Sequence, residues 1–86
     1  MNVRIPSPLR SYTEQRAVVE AHGATLAELF ADLDRQFPGL RFRVVDEQGR
    51  IRKHMKVFVN EEAARDLGLP LRAGDDVTLM QALSGG

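Results

Sequence analysis

The chain has 86 residues, enough for one domain with a single modest core. Its 12 Lys and Arg balance its 12 Asp and Glu, so no global field draws it to nucleic acid or to an anionic membrane. Cysteine is absent, which excludes a disulfide framework, a thiolate zinc site and a catalytic thiol, and leaves any sulfur chemistry to a partner or to the chain terminus. No segment has the apolar run of a signal peptide or a membrane span, so the cytoplasm is the expected compartment.

Asn2 to Ile5 alternates, with Val3 and Ile5 on one face, until Pro6 and Pro8 interrupt the pattern. This predicts a first strand, since proline cannot donate to a sheet ladder. The loop Ser7 to Glu14 contains Leu9, Arg10 and Tyr12 and is too apolar for a plain linker; part of it is expected to fold back on the core. Arg16 to Ala21 reads as a second strand, with Ala17, Val19 and Ala21 on one face and Val18 and Glu20 on the other. The two strands are expected to pair as an antiparallel hairpin.

Thr25 and Glu28 stand at capping-box spacing ahead of Leu26, Leu29, Phe30, Leu33 and Phe37, which share one helical face. Burying those five side chains is worth on the order of 10 kcal/mol before ordering costs, so this helix is read as the main filler of the core. Pro38-Gly39 ends it. Leu40 to Val45 fits either a strand or a helical extension. Asp46-Glu47-Gln48-Gly49 is a polar turn, after which Ile51, Met55, Val57 and Val59 are spaced for one face of a strand. Phe58 falls on the opposite face, where a polar residue is the usual occupant.

Asn60-Glu61-Glu62 reads as a turn, and Leu67, Leu69 and Leu71 punctuate a connection broken by Gly68 and Pro70. Gly74-Asp75-Asp76 is a tight turn in which glycine supplies a positive φ. Val77 and Leu79 then face inward on a last strand, with Thr78, Met80 and Ala82 outward. The fold class is α+β: one sheet of four to five strands with one main helix on one face. Residues 1–81 form the domain, and 82–86 a flexible tail.

The tail, Gln81-Ala82-Leu83-Ser84-Gly85-Gly86, closes on two glycines, which pack no side chain and leave the chain end thin and unbranched. The order of elements, Val57-Phe58-Val59-Asn60 before a turn, Gly74-Asp75-Asp76-Val77-Thr78-Leu79 leading into the last strand, and Gly85-Gly86 at the end resemble the MoaD/ThiS family of ubiquitin-like sulfur carriers. The resemblance spans essentially the whole chain. Pro8-Leu9-Arg10 and the Pro38-Gly39 helix stop resemble the larger members, such as molybdopterin-synthase small subunits and the sulfur carrier of cysteine biosynthesis. Gln81-Ala82 stands where the family often has Pro-Ala or Pro-Pro, and Ser84 where a small residue or threonine is usual; both departures bear on partner recognition.

That resemblance implies a mixed-sheet β-grasp fold and a protein cosubstrate, not an enzyme, with the C-terminal carboxylate of Gly86 as the reactive group. An E1-like partner would adenylate it with ATP, a sulfur donor would convert the acyl-adenylate to a thiocarboxylate, and a downstream biosynthetic enzyme would take the sulfur. The chain itself is expected to bind no cofactor and no metal, and to be a monomer alone. Gly85 and Ser84 would give the end access to a narrow channel. Ordering Ala82 to Gly86 in a partner costs about 5–10 kcal/mol, so a second docking surface is expected. Phe58 and Met80 point away from the helix on neighbouring strands and are the candidates for it, with Pro6 extending the patch and Ala82 and Leu83 leading from it.

Other candidates carry less. His22 and His54 lack a metal-ligand pattern, and Arg50, Arg52, Lys53, His54 and Lys56 read as a solvated strand face. Asp75 with Asp76, and Glu61 with Glu62, read as turn chemistry. Two further functions share the tail: a ubiquitin-like modifier conjugated to target lysines through Gly86, and a β-grasp interaction domain whose glycines are idle. With two lysines, Lys53 and Lys56, the chain is poorly furnished for forming polymers on itself.

Overall fold

The computed structural model describes residues 1–82. Asn2–Arg4 (β1) and Val18–Glu20 (β2) pair antiparallel, with Val3 opposite Val19. Val77–Gln81 (β5) lies parallel to β1 on its other side and antiparallel to Met55–Val59 (β3), whose far edge holds the two-residue strand Glu62–Ala63 (β4). The sheet order is β2-β1-β5-β3-β4, so the strand that leads to the tail sits in the centre. The expected hairpin and the helix-on-one-face arrangement are both present.

Leu26–Gln36 forms α1. Thr25 Oγ1 accepts from the Glu28 amide at 3.3 Å, and Glu28 Oε1 accepts in return from the Ala24 amide at 3.2 Å. The reciprocal bond thus lands one residue ahead of the N-cap. Two further first-turn amides are satisfied by the distant connection: Leu26 N–H donates to the Leu69 carbonyl and Ala27 N–H to the Leu67 carbonyl. Leu26, Leu29, Phe30, Leu33 and Phe37 are buried, as their spacing requires. They pack in one core with Val3, Ile5, Val19, Val57, Val77 and Leu79.

Leu40–Val44, which fits two classes in sequence, is a short helix, α2. Alternation would have buried Leu40, Phe42 and Val44 together; instead Leu40 and Val44, four apart, are buried and Phe42 is turned outward. Asp34 links the two helices, its Oδ1 accepting from the Gly39 amide at 3.0 Å and the Arg41 amide at 3.4 Å. The loop after β1 does fold back: Ser7–Thr13 is a 3-10 helix with Leu9 and Thr13 buried, and the Thr13 hydroxyl is satisfied by the carbonyls of Arg10 and Arg16.

Three expectations are corrected. The second strand is shorter than Arg16 to Ala21, and Ala17 is exposed, although its carbonyl accepts from the Ile5 amide. The strand expected from Ile51 begins at Met55, because Val45 bridges Ile51 and the backbone turns at Lys53-His54 before entering the sheet. Glu62 is not part of the turn: Asn60 and Glu61, with φ of 50° and 75°, make a two-residue hairpin loop, and Glu62 opens β4 opposite Val59.

Candidate docking face and tail exit

Strand alternation puts α1 and the core on one face of the sheet and leaves the other open. Across that open face a single row runs through all five strands: Val18, Arg4, Thr78, Phe58 and Ala63, each opposite the next. A second, shorter row sets Met80 opposite Lys56. Phe58 is half-buried and Met80 is 49% exposed, so the two candidates stand on adjacent strands, one diagonal step apart. Pro6 lies two residues beyond Arg4, which pairs with Thr78, and so falls level with Met80 if the parallel register is carried forward. Val18, 43% exposed, lies at the far end of the Phe58 row.

Val18 was legible by alternation, which already set it opposite Val19; its place in the same row as Phe58 was not, because that depends on β1 and β5 pairing across most of the chain. Ala82 is exposed, and its amide donates to the His54 carbonyl at 2.7 Å. Leu83, Ser84, Gly85 and Gly86 lie outside the described residues.

The turns around this face are held by carboxylates whose oxygens are already engaged. Asp75 accepts from the Arg72 amide and from Asn60 Nδ2, both at 2.8 Å, while Asn60 Oδ1 accepts from the Asp76 amide at 3.0 Å. The Arg72 amide first, then the Asn60 side chain, hold the Asp75 carboxyl below its ordinary pKa. Asp46 is lowered likewise, chiefly by the Arg50 amide. These are turn-forming roles, as expected of Asp75. His22 and His54 are both exposed, and no group of three metal-capable side chains occurs among the described residues.

The basic run reads differently in three dimensions. Of Arg50, Arg52, Lys53, His54 and Lys56, only Lys56 lies on a strand. Arg52 folds back on α2, its Nε donating to the Phe42 carbonyl at 2.8 Å and its guanidinium lying 4.5 Å from the Phe42 ring centroid. Sequence reasoning missed this pair, since Phe42 was assigned to no face.

One main helix, α1, packed across a five-stranded mixed sheet with parallel β1 and β5 at its centre defines a ubiquitin-like β-grasp protein. The chain belongs to the ThiS family, whose profile matches residues 3–86. It is 32% identical to the sulfur carrier protein CysO of Mycobacterium tuberculosis, over 100% of this chain and 98% of that protein. A chain of the Amycolatopsis orientalis BexX/CysO complex superposes with a TM-score of 0.91 at 33% identity, covering 99% of this chain and 98% of that one. SAMP1 of Haloferax volcanii superposes with a TM-score of 0.78 at 32% identity, covering 100% and 98%.

Proposed function

We propose that this protein is a sulfur carrier whose Gly86 carboxylate is the reactive group. An E1-like enzyme brings ATP; a carboxylate oxygen attacks the α-phosphate and pyrophosphate leaves. Sulfide, delivered as hydrosulfide by a sulfur donor, then adds to the acyl carbon, AMP departs, a proton is released, and Gly86 carries a thiocarboxylate that a downstream biosynthetic enzyme consumes. The observation that carries this reading is likeness to CysO along the whole chain, tail included. The same likeness favours cysteine biosynthesis over molybdopterin as the destination.

The division of labour follows from the residues. Glycines at 85 and 86 lack the β-carbon that would widen the chain in a water-excluding channel, where a hydrolysable acyl-adenylate must be protected. Ser84 and Leu83 lead to them. Phe58 and Met80, flanked by Pro6 and Ala82, supply docking area on the open face. The protein is then a monomeric cosubstrate in the cytoplasm, and ATP belongs to its activating partner. Deletion of Gly86 tests the assignment: sulfur delivery in the cell should cease, and survival of sulfur delivery without Gly86 overturns it.

A second reading, conjugation to lysines of target proteins through Gly86, is favoured by the likeness to a small archaeal modifier protein at 29% identity. It shares the activation step and differs in the nucleophile that follows. Covalent adducts of higher mass, lost with Gly86, would mark it.

A further inference from the structure

The balanced charge of the chain conceals a strong asymmetry. Arg41, Arg43, Arg50, Arg52, Lys53 and Lys56 fall within residues 41–56 beside only Asp46 and Glu47, so this segment is four charges positive and the rest of the chain four negative. The ion pairs among the described residues are Arg16 with Glu14 and Arg35 with Asp32, and neither involves the six. Asp46 accepts from the backbone amides of Gln48 and Arg50 and is within electrostatic reach of Arg50 and Arg52, which leaves Arg43 and Lys53 as cations without an ion pair among the described residues.

Two of the six, Arg43 and Arg52, meet at one corner, and Lys53 lies between Arg52 and His54 in the chain. Phe42, Arg43, Arg52 and His54 line a small open recess of about 210 Å³. Phe42 is 51% exposed, with Arg52 stacked on it. His54 is the residue whose carbonyl holds the Ala82 amide, so Ala82, the residue before the tail, sits beside this corner. Lys56, opposite Met80, joins the corner to the open face.

From this placement we propose that the corner of Phe42, Arg43, Arg52, Lys53 and His54 is an electrostatic docking site for a protein partner. The partner carries clustered Asp and Glu carboxylates, with an apolar spot for Phe42, on the rim of the channel that receives the tail. The proposal rests on the tail being the delivered group. An acidic partner attracts the positive corner and repels the rest of the surface, so it meets the chain tail side first. Complementary charge of this kind acts mainly on encounter and is screened by salt. The Arg52–Phe42 stack gives the corner a fixed shape, because it is tied to the α2 backbone.

Two measurements test it. In the first, amide NMR of the full chain is followed during titration at low salt with a capped hexaglutamate peptide, beside hexaglutamine. Shifts should centre on Phe42, Arg43, Arg52 and His54 with the acidic peptide alone, and vanish at high salt and in the Arg43→Glu/Lys53→Glu variant, whose altered residues are both exposed. Equal response to hexaglutamine, or none at the corner, overturns the site. In the second, ATP–pyrophosphate exchange is measured with the purified adenylating enzyme. The variant should lose roughly tenfold or more in kcat/KM through KM, and the loss should shrink as salt is raised; unchanged kcat/KM at low salt overturns the acidic rim. Salt-sensitive self-association of the wild type, absent in the variant, would make the occupant a second copy and contradict the proposal. If the wild-type chain is not adenylated at all, the carrier reading fails, while the peptide titration still reports on the corner.

Discussion

The amide of Ala82 donates to the carbonyl of His54 at 2.7 Å, one step past the Met55–Gln81 pair that ends the β3–β5 register. The chain is therefore held to the sheet through Ala82, the last described residue, and β3 is preceded by the residue that accepts this bond. The two proposed docking areas adjoin this point: Met80 and Phe58 on the strands of the open face, and His54, which lines the recess beside α2.

Replacing Phe58 and Met80 together with Asp tests the open face. Neither belongs to the buried core, so the far-ultraviolet circular dichroism should retain the folded signature. Adenylation by the activating enzyme should be lost, because the two carboxylates put charge at the centre of the apolar docking area. Normal activation of a folded double variant would show that this face does not dock the activating enzyme.

The β3–β4 hairpin offers a stability test. Its loop, Asn60-Glu61, places both residues at positive φ, where asparagine is tolerated and glutamate is not favoured. Glu61→Gly should raise stability by about 0.5–1 kcal/mol, the relief of left-handed strain less the extra freedom of glycine in the unfolded chain. Urea denaturation reads this as a higher midpoint at unchanged slope; a lower midpoint would contradict the loop geometry.

Gly23 is constrained by space rather than by φ. A β-carbon there would come within 2.8 Å of the Glu28 carbonyl carbon in the first turn of α1. Gly23→Ala should cost about 1–3 kcal/mol, since backbone on both sides must shift. Thermal unfolding checks it, and an unchanged melting temperature would mean that the β2–α1 connection packs less closely.

Acid should loosen the β3–β5 side through Asp75. Its folded pKa lies below the unfolded value because the Arg72 amide, and then Asn60 Nδ2, bond the ionised form. Stability from that difference is fully present above the unfolded carboxylate pKa of about 3.9 and is lost as pH falls through the lower folded value. Asp75→Asn removes the ionisation, so its melting temperature should lie below that of the wild type at neutral pH and converge with it in acid. A constant gap between the two across that range would show that Asp75 acts without its charge.

Patterns confined to a few residues were readable in sequence. The α1 face from Leu26 to Phe37 and the cap at Thr25 needed only helical spacing, and Val77 and Leu79 needed only alternation. Features set by distant pairing were not. Leu40 to Val44 supports both periods, and burial of Leu40 with Val44 chose the helix. The strand at Glu62–Ala63 is too short to leave a pattern and exists because β3 offers an edge. The open face needed the parallel β1–β5 pairing before Val18, Phe58 and Met80 became neighbours on one surface, and Arg52 joined Phe42 only once α2 had formed.

Sulfur carriage turns on one atom of Gly86, and intact-mass measurement of the protein taken from its own cell reads that atom. The expected result is a population heavier by the replacement of one oxygen with sulfur, localised by fragmentation to Gly86 and lost when the activating enzyme is deleted. A Gly86 carboxylate that stays unmodified while sulfur delivery proceeds would contradict it.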